Sequence, residues 1–495
     1  MQAVGAAWLM VSLGAAPTTI ALIQTASALP FFVLALPAGV FGDIVDRRRL
    51  ILGTEIWMLA AAVVLVCVTA LGAMSPWLLL ALTFVLSAGD AFEAPSWRAL
   101  LPELVAREDI PAASALNGIE FNLARAVGPA LGGLLVAAAG VTAAFALNAF
   151  SFLGVIVVVA RWKRHVPRRT APPERLGGAT VAAVRYVRHS PAIRTMLFRS
   201  GSVTVFGAAL PALLPVVARR LSDSSLGYGL LLAAFGAGAV LGAALLPRLR
   251  ARLSAEALLS LALSALGANL IGAGSLHSLP ALVPLMVAGG AGWMAFLTTL
   301  NAMLQNLAPA WVRARVLAVA LLVFQGGLAL GSVLWGLAAE HAGLHVALLC
   351  AGAGVAATTL LRFVAPLPDA DVDVTAWIHW PVPAPIGDRG PDLEDGPVLV
   401  TIEYRVDPEK AAAFVQAAHR LGRLRRRDGA SRWGIFRDTE APDRYVETFI
   451  VNSWAEHLRQ HERPVAADRL VEESTRRLAR ERPTVRHLLY AAKGS

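Results

Sequence analysis

Five charged side chains fall within the long apolar runs of residues 1–160: Glu55, Asp90, Glu93, Glu120 and Arg125. Facing hydrocarbon, each would cost roughly 2.5 to 3.5 kcal/mol, so such residues turn toward protein or a water-filled path. There they pair with one another, orient a substrate or carry protons. Asp90 and Glu93 are three apart on one helix face, where Arg47 could reach them. They read as part of an inner charge network that holds one conformation. Glu120 and Arg125 are five apart and point in different directions on an ideal helix, so either could face a central cavity as a proton-titrating or substrate-orienting group. A structural set of salt bridges near the membrane surface would use the same residue types.

A second concentration is GVFGDIVDRRR, residues 39–49. Gly39 lets one backbone approach another, and Asp43 offers a carboxylate to the N–H groups that open a neighbouring helix. Arg47 could bridge to an acid on an adjacent segment, with Arg48 beside it. A third is RAVGPALGG, residues 125–133. Gly128, Gly132 and Gly133 remove side chains so that helices can meet, and Pro129 frees a carbonyl and permits a gating bend. Near the carboxy terminus Trp433, Tyr445, Trp454, His457 and His461 could line a small aromatic pocket, although no metal-ligand spacing stands out. Cys67 and Cys350 lie inside apolar runs, which gives neither a disulfide framework nor a cysteine-based metal site. No phosphate-binding loop occurs, so ATP-driven work is not supported and no cofactor is indicated.

The elements that must position these residues are membrane helices. The 495 residues are 56% hydrophobic and 16% charged, with mean hydropathy +0.60, too apolar for a soluble enzyme. Runs at 20–41, 50–71, 76–94, 113–139 and 141–160 are each long enough, or nearly so, to cross the roughly 30 Å hydrocarbon core. The first run, 3–16, falls short and reads as part of a span whose other half is missing. These form an amino-terminal half, residues 1–160. A basic, proline-containing linker follows at 161–192, and its part at 181–189 suits a short helix drawn to anionic headgroups. A second half, 193–365, has runs at 193–218, 226–246, 255–274, 279–303, 316–339 and 346–364.

Arginines gather at one set of loops (47–49, 98, 107, 161, 248–252, 313 and 315), which predicts that this side is cytoplasmic. Arg219 and Arg220 are the exception. The net charge of +10 is therefore read as topology, with no nucleic-acid partner. The second half carries almost no buried charge, leaving Asn269, Trp293, Asn301, Gln305, Asn306 and Gln325 as scattered polar handles in a largely apolar cavity. Past a proline- and aspartate-rich linker, 366–397, the chain turns soluble in character. Residues 398–495 read as strand, helix, strand, strand, helix, strand, an α+β arrangement of ferredoxin-like type.

The motif at 39–49 resembles that of the major facilitator superfamily, G-x-x-x-D-R-x-G-R-R/K. Gly39, Asp43, Arg47 and Arg48 fit it, whereas Ile44 and Asp46 depart from it. The G-P-x-x-G-G core at 128–133 resembles the antiporter motif of the same superfamily. APSWRALLPELV and ALNGIEFNLARAVGPALGG, with Arg98, Pro102, Asn117 and Asn122, resemble the branch of transmembrane secretion effectors that includes the enterobactin exporter. The terminal domain is similar to antibiotic-biosynthesis monooxygenases.

The resemblance implies an all-α polytopic fold of two six-helix halves and a proton-coupled exporter of small amphipathic molecules, siderophore or drug-like. It would work by alternating access in the cell (inner) membrane, with its linker and terminal domain cytoplasmic. Implied partners are a small-molecule substrate, protons, the lipid bilayer and a possible second copy joined through the terminal domain. The rival readings are a membrane-anchored enzyme and a non-transporting sensor or scaffold.

Overall fold

The computed structural model describes residues 2–162, 176–368, 373–375, 377 and 392–491, and within its helices the side chains of Gly39, Asp43, Glu120, Arg125 and Pro129 are among those outside the described set. In chain order the helices are α1 (Gln2–Ser12), α2 (Pro17–Ile44), α3 (Arg47–Ala70), α4 (Pro76–Leu104), α5 (Ile110–Arg161), α6 (Leu176–His189), α7 (Pro191–Gly207), α8 (Ala209–Leu221), α9 (Ser225–Arg250), α10 (Ala255–Ser275), α11 (Leu279–Leu307), α12 (Ala310–His341), α13 (Leu344–Ala357) and the single turn α14 (Leu361–Val364). After them come β1 (Val398–Arg405), α15 (Ala411–Asp428), β2 (Arg432–Arg437), β3 (Arg444–Val451), α16 (Trp454–Glu462), α17 (Arg469–Arg476) and β4 (Thr484–Leu489). The chain divides into two compact units: Met1–Pro172, Leu197–Leu300 and Ala320–Leu367 form one, and Pro173–Met196, Asn301–Val319 and Pro368–Ser495 the other.

Among the described residues, ten helical stretches are long and apolar enough to cross a membrane. Exposed apolar side chains such as Val63, Val64, Phe150, Val158, Leu241 and Leu245 give the first unit the outer surface that lipid requires. The stretch at 39–49, read from the sequence as a tight loop between two spans, is mostly helical. Helix α2 runs on through Gly39 and Asp43 to Ile44, leaving Val45 and Asp46 as the connection. The departure from the superfamily pattern has a local use: the Asp46 carboxylate accepts the Arg49 N–H at 3.0 Å and caps α3, as short acidic side chains do at helix starts.

The two runs at 113–139 and 141–160 are joined without a loop, because Gly140 turns the chain at φ +81°, a backbone state that glycine adopts at no steric cost. In the second half the run 193–218 is broken between α7 and α8. Pro211 cannot bond back to the carbonyl of Gly207 and would clash with it, so the helix restarts at Ala209. Helix α1 is an 11-residue segment whose Trp8 and Met10 are buried, with Trp8 stacked on Tyr228 of α9 at 6.4 Å.

At both ends of the first unit an arginine satisfies the last carbonyls of a helix. At the end that carries Arg47–Arg49, the basic end, Arg48 donates from Nε to Val159 O at 3.0 Å and from Nη2 to Ala160 O, satisfying the last carbonyls of α5. At the opposite, far end Arg220 does the same for α10, donating to Ala273, Gly274 and Leu276 carbonyls at 2.8 to 3.0 Å. That explains an arginine on the side where arginines are otherwise scarce. The expectation of a second half almost without buried charge does not hold: Arg199 of α7 is 2% exposed and pairs with Glu256, at the start of α10, at 2.6 Å.

The halves meet through small residues. Gly133 of α5 lies directly on Gly229 of α9, so that a Cβ on Gly133 would stand 2.3 Å from the Gly229 Cα. Gly336 of α12 lies against Thr18 and Ala21 of α2, and Thr25 Oγ1 donates to Ala329 O at 3.1 Å. These contacts, with Trp8 on Tyr228, lie toward the far end of the helices.

In the second unit the strands form one antiparallel sheet in the order β2-β3-β1-β4. Burial alternates along β1 and β3, as a sheet covered on one face demands. Its core holds Val400, Ile402, Phe414, Phe449 and Trp454; each large apolar side chain buried there contributes roughly 1.5 to 3 kcal/mol. The basic helix α6 is not laid out for headgroups alone. Arg185 bonds Glu456 of α16 at 2.8 Å, the buried Tyr186 meets Trp311 edge-on at 5.5 Å, and Arg427 of α15 lies over the Tyr186 ring.

Candidate functional site

Helices α3 and α4 build the acidic site. Gly89 of α4 leaves room for Met58 of α3, whose Cγ would stand only 2.4 Å from a Cβ at that position. With the helices that close, Thr54 of α3 reaches Glu93, one turn beyond Gly89. Its hydroxyl lies 3.0 Å from Glu93 Oε2 and also bonds back to Leu50 O and Ile51 O. Glu55 is 4% exposed, its carboxyl beside that of Glu93 and within electrostatic reach of Asp90, and its Oε2 makes no hydrogen bond among the described residues. Asp90 stands midway along α4 and is exposed. Glu55 is about 12 Å from the basic end of α3, at 1.5 Å per residue.

The structure thus brings Glu55, Asp90 and Glu93 together, with Thr54 as a member that sequence reading overlooked. A hydroxyl four residues from an apolar helix face is common, and only the packing of α4 shows its second partner. Arg47 is half-buried at the first turn of α3, and Arg48 is engaged with the end of α5 as described. Glu120 and Arg125 lie outside the described side chains, as do Gly39, Asp43 and Pro129. In the glycine-rich motif Gly132 and Gly133 are buried, Gly133 at the crossing with α9, whereas Gly128 has open space before it. Asn269, expected to face a cavity, is instead sealed between α10 and α11 at 0% exposure, pressed by Gly289. Trp293 packs with Phe296 and Phe324.

The pocket expected in the terminal domain is present with different walls. A cavity of about 320 Å³ is lined by Tyr404, Arg425, Phe449, His457, His461 and His487, among others. Trp433, Tyr445 and Trp454 are not part of it. Trp433 donates from Nε1 to the buried Glu447 at 2.9 Å, where Tyr404 and Arg425 converge as well, and Tyr445 packs on Phe414. Burial pushes the His457 imidazole down to about 3, helped by the neighbouring His461 and His487, so it is neutral at physiological pH. His487 comes from β4, far along the chain, and sequence reading missed it.

Comparison with known proteins places this geometry. The sequence pattern of the transmembrane secretion effectors matches residues 1–495. The chain belongs to that family. Its relatives are major facilitator transporters rather than enzymes, and this secretion effector is a multi-pass membrane protein of that superfamily. It is 26% identical over 357 residues to the multidrug efflux pump Tap of Mycolicibacterium fortuitum, covering 69% of this chain and 86% of the pump. It is 30% identical over 223 residues to the enterobactin exporter EntS of Salmonella typhi, covering 43% of this chain and 51% of the exporter. Among solved structures the nucleoside transporter NupG superposes with a TM-score of 0.58 at 11% identity, covering 74% of this chain and 96% of that one. A bacterial homologue of the human lysosomal transporter Spinster, in an inward-facing and occupied conformation, gives 0.58 at 15% identity over 73% of this chain and 92% of its own. At such identities these two bear on the fold alone.

Proposed function

We propose that this secretion effector is a proton-coupled exporter of small amphipathic molecules, siderophore or drug-like, working by alternating access. The observation that carries the reading is the contact of Glu55 with Glu93 beside Asp90 inside an otherwise apolar helix pair. Two carboxyl groups in hydrogen-bonding contact need a proton between them, and burying further like charge there is costly. An exposed carboxylate midway along a spanning helix is tolerated only against water, so the position of Asp90 supports a water-filled path along which that proton would exchange. The named contacts between halves lie toward the far end, which supports a state closed there. The arginine asymmetry supports a cytoplasmic basic end. The efflux and exporter activities named for Tap and EntS support the direction of transport and the class of cargo. In the terminal domain, strand order β2-β3-β1-β4 supports a ferredoxin-like fold on the cytoplasmic side, with a regulatory or dimerising role.

The test is accumulation of a panel of fluorescent amphipathic compounds and a catecholate siderophore in cells carrying the full chain or Glu93→Gln, with and without a protonophore. Accumulation should fall with the full chain and recover in the variant and on collapse of the gradient. Unchanged accumulation of every compound, with the protein present in the membrane, would refute the reading.

A further inference from the structure

We propose that His457, His461 and His487 form a three-histidine site for a late first-row divalent cation, of which zinc is the best fit, with a fourth position open to the adjoining cavity. His457 and His461 are four apart on α16 and so project from one face. Their Nε2 atoms stand 3.2 Å apart. Two nitrogens bound tetrahedrally to zinc at about 2.0 to 2.1 Å are separated by roughly 3.3 Å, so this pair is already at ligand spacing. His487, on the neighbouring strand, brings its own nitrogen into a group whose ligand atoms all lie within 4.8 Å of one another.

Two further features fit a metal. The Nδ1 of His457 and the Oε1 of Gln460 are both buried without a hydrogen bond, and the two side chains are neighbours. When Nε2 ligates a cation, the ring proton must sit on Nδ1, and histidine ligands are ordinarily held by an acceptor at that nitrogen. Gln460 Oε1 is a buried acceptor on that neighbouring side chain. Trp454 packs on His457 at 5.4 Å and on His487 at 6.3 Å, which holds both rings. Local charge is partly balanced for a dication: Arg425 is paired with Glu447 at 3.2 Å and Arg476 with Glu472 at 2.7 Å. Arg482 remains on the cavity wall, suited to a small oxygen-donor anion at the open position. Three imidazoles and no thiolate or ligating carboxylate favour zinc, cobalt or nickel over magnesium or calcium.

The experiment uses the full-length protein in detergent, purified with a histidine-free tag and stripped with a chelator, then titrated with Zn²⁺ against a competing indicator and with Co²⁺ as a spectroscopic probe. One Zn²⁺ per chain should bind, and Co²⁺ should show the intense visible bands of tetrahedral coordination. His487→Ala, on a half-exposed strand, should weaken Zn²⁺ binding by more than about 100-fold, and Gln460→Leu, which removes only the acceptor behind the His457 ring, by about 10- to 100-fold. His419→Ala, a histidine of the same domain outside the cluster, should change nothing, and far-UV circular dichroism should match wild type throughout. Absence of stoichiometric Zn²⁺ binding, or equal affinity in wild type and in folded His487→Ala, overturns the proposal, and so does an equal loss in His419→Ala. Since none of these readouts involves cargo flux, the proposal stands or falls apart from the transport reading.

Discussion

Gly133→Ala should open the far end of the transporter. The added Cβ would stand 2.3 Å from Gly229 Cα and 3.1 Å from its backbone nitrogen, whereas carbon atoms rest comfortably at about 3.5 to 4.0 Å. Both obstacles are backbone atoms, so no rotamer change relieves the clash. Helices α5 and α9 would have to part by about 1.2 to 1.7 Å, enough to forfeit half or more of the dispersion contact along the crossing. Overpacking of this kind costs about 1 to 3 kcal/mol. If that penalty falls on the far-end-closed state alone, the conformational equilibrium shifts by about 5- to 150-fold. Spin labels on cysteines at the exposed Leu71 and Leu226, with Cys67 and Cys350 replaced, would report the separation of the two halves by pulsed electron resonance. The variant should show a longer distance population and a slower cargo flux. Gly229→Ala, whose Cβ would stand 2.8 Å from Gly133 Cα, should show the same change more weakly. An unchanged distance distribution with unchanged flux in Gly133→Ala would refute the idea that this crossing holds the closed state.

Two other outcomes follow from ion pairs. Glu256→Ala leaves Arg199 buried with, among the described residues, only the Ala365 carbonyl at 3.3 Å, and should lower stability by about 2 to 3 kcal/mol, at the low end for a broken buried pair because Glu256 is partly exposed. Arg199→Met should cost less, since it removes the buried charge itself; thermal unfolding in detergent separates the two. In the second unit, burial works to raise the Glu456 carboxyl, yet bonds from Arg463 and Arg185 together with their charge hold it below the ordinary 4.5. Arg459 adds a third guanidinium at 3.1 Å. A depressed folded value means stabilisation that is complete above about 4.5 and lost as pH falls through the folded value. Glu456→Gln should therefore flatten the acid side of the stability profile of the full chain, and a profile identical to wild type below about pH 4.5 would show that the cluster adds nothing.

Much of the architecture was legible because membrane helices announce themselves by length and hydropathy. The runs 50–71 and 226–246 fall inside α3 and α9, give or take a residue, and in the terminal domain the strands at 398–404, 432–437, 445–451 and 485–489 match to within a residue. What sequence could not give was distance. Asp90 and Glu93 were recognisable as a pair from helical spacing, but Glu55 joins them only because Gly89 admits Met58, a contact between residues that pattern does not connect. The same holds for His487, separated in the chain from His457 and His461 by α17 and the segments around it. By sequence alone Arg48 reads as part of the motif at 39–49, Arg220 as an exception to the charge asymmetry and Arg185 as part of a helix drawn to headgroups; two of them satisfy carbonyls at helix ends and the third pairs with Glu456, roles that depend on which element stops nearby. Trp433 was misassigned to the pocket because an aromatic on a strand gives no sign of which face it takes in a sheet with one exposed side.

The most direct measurement of the central claim is cargo movement in sealed proteoliposomes under an imposed pH gradient, comparing the full chain with Glu55→Gln and Glu93→Gln. The account expects the gradient to drive cargo against its concentration through the wild-type protein, with a matching proton flux in the opposite direction. Each variant should keep cargo binding and lose the gradient's effect, because a glutamine cannot take up and release the shared proton. Full gradient-driven transport by the Glu55→Gln/Glu93→Gln double variant would contradict it.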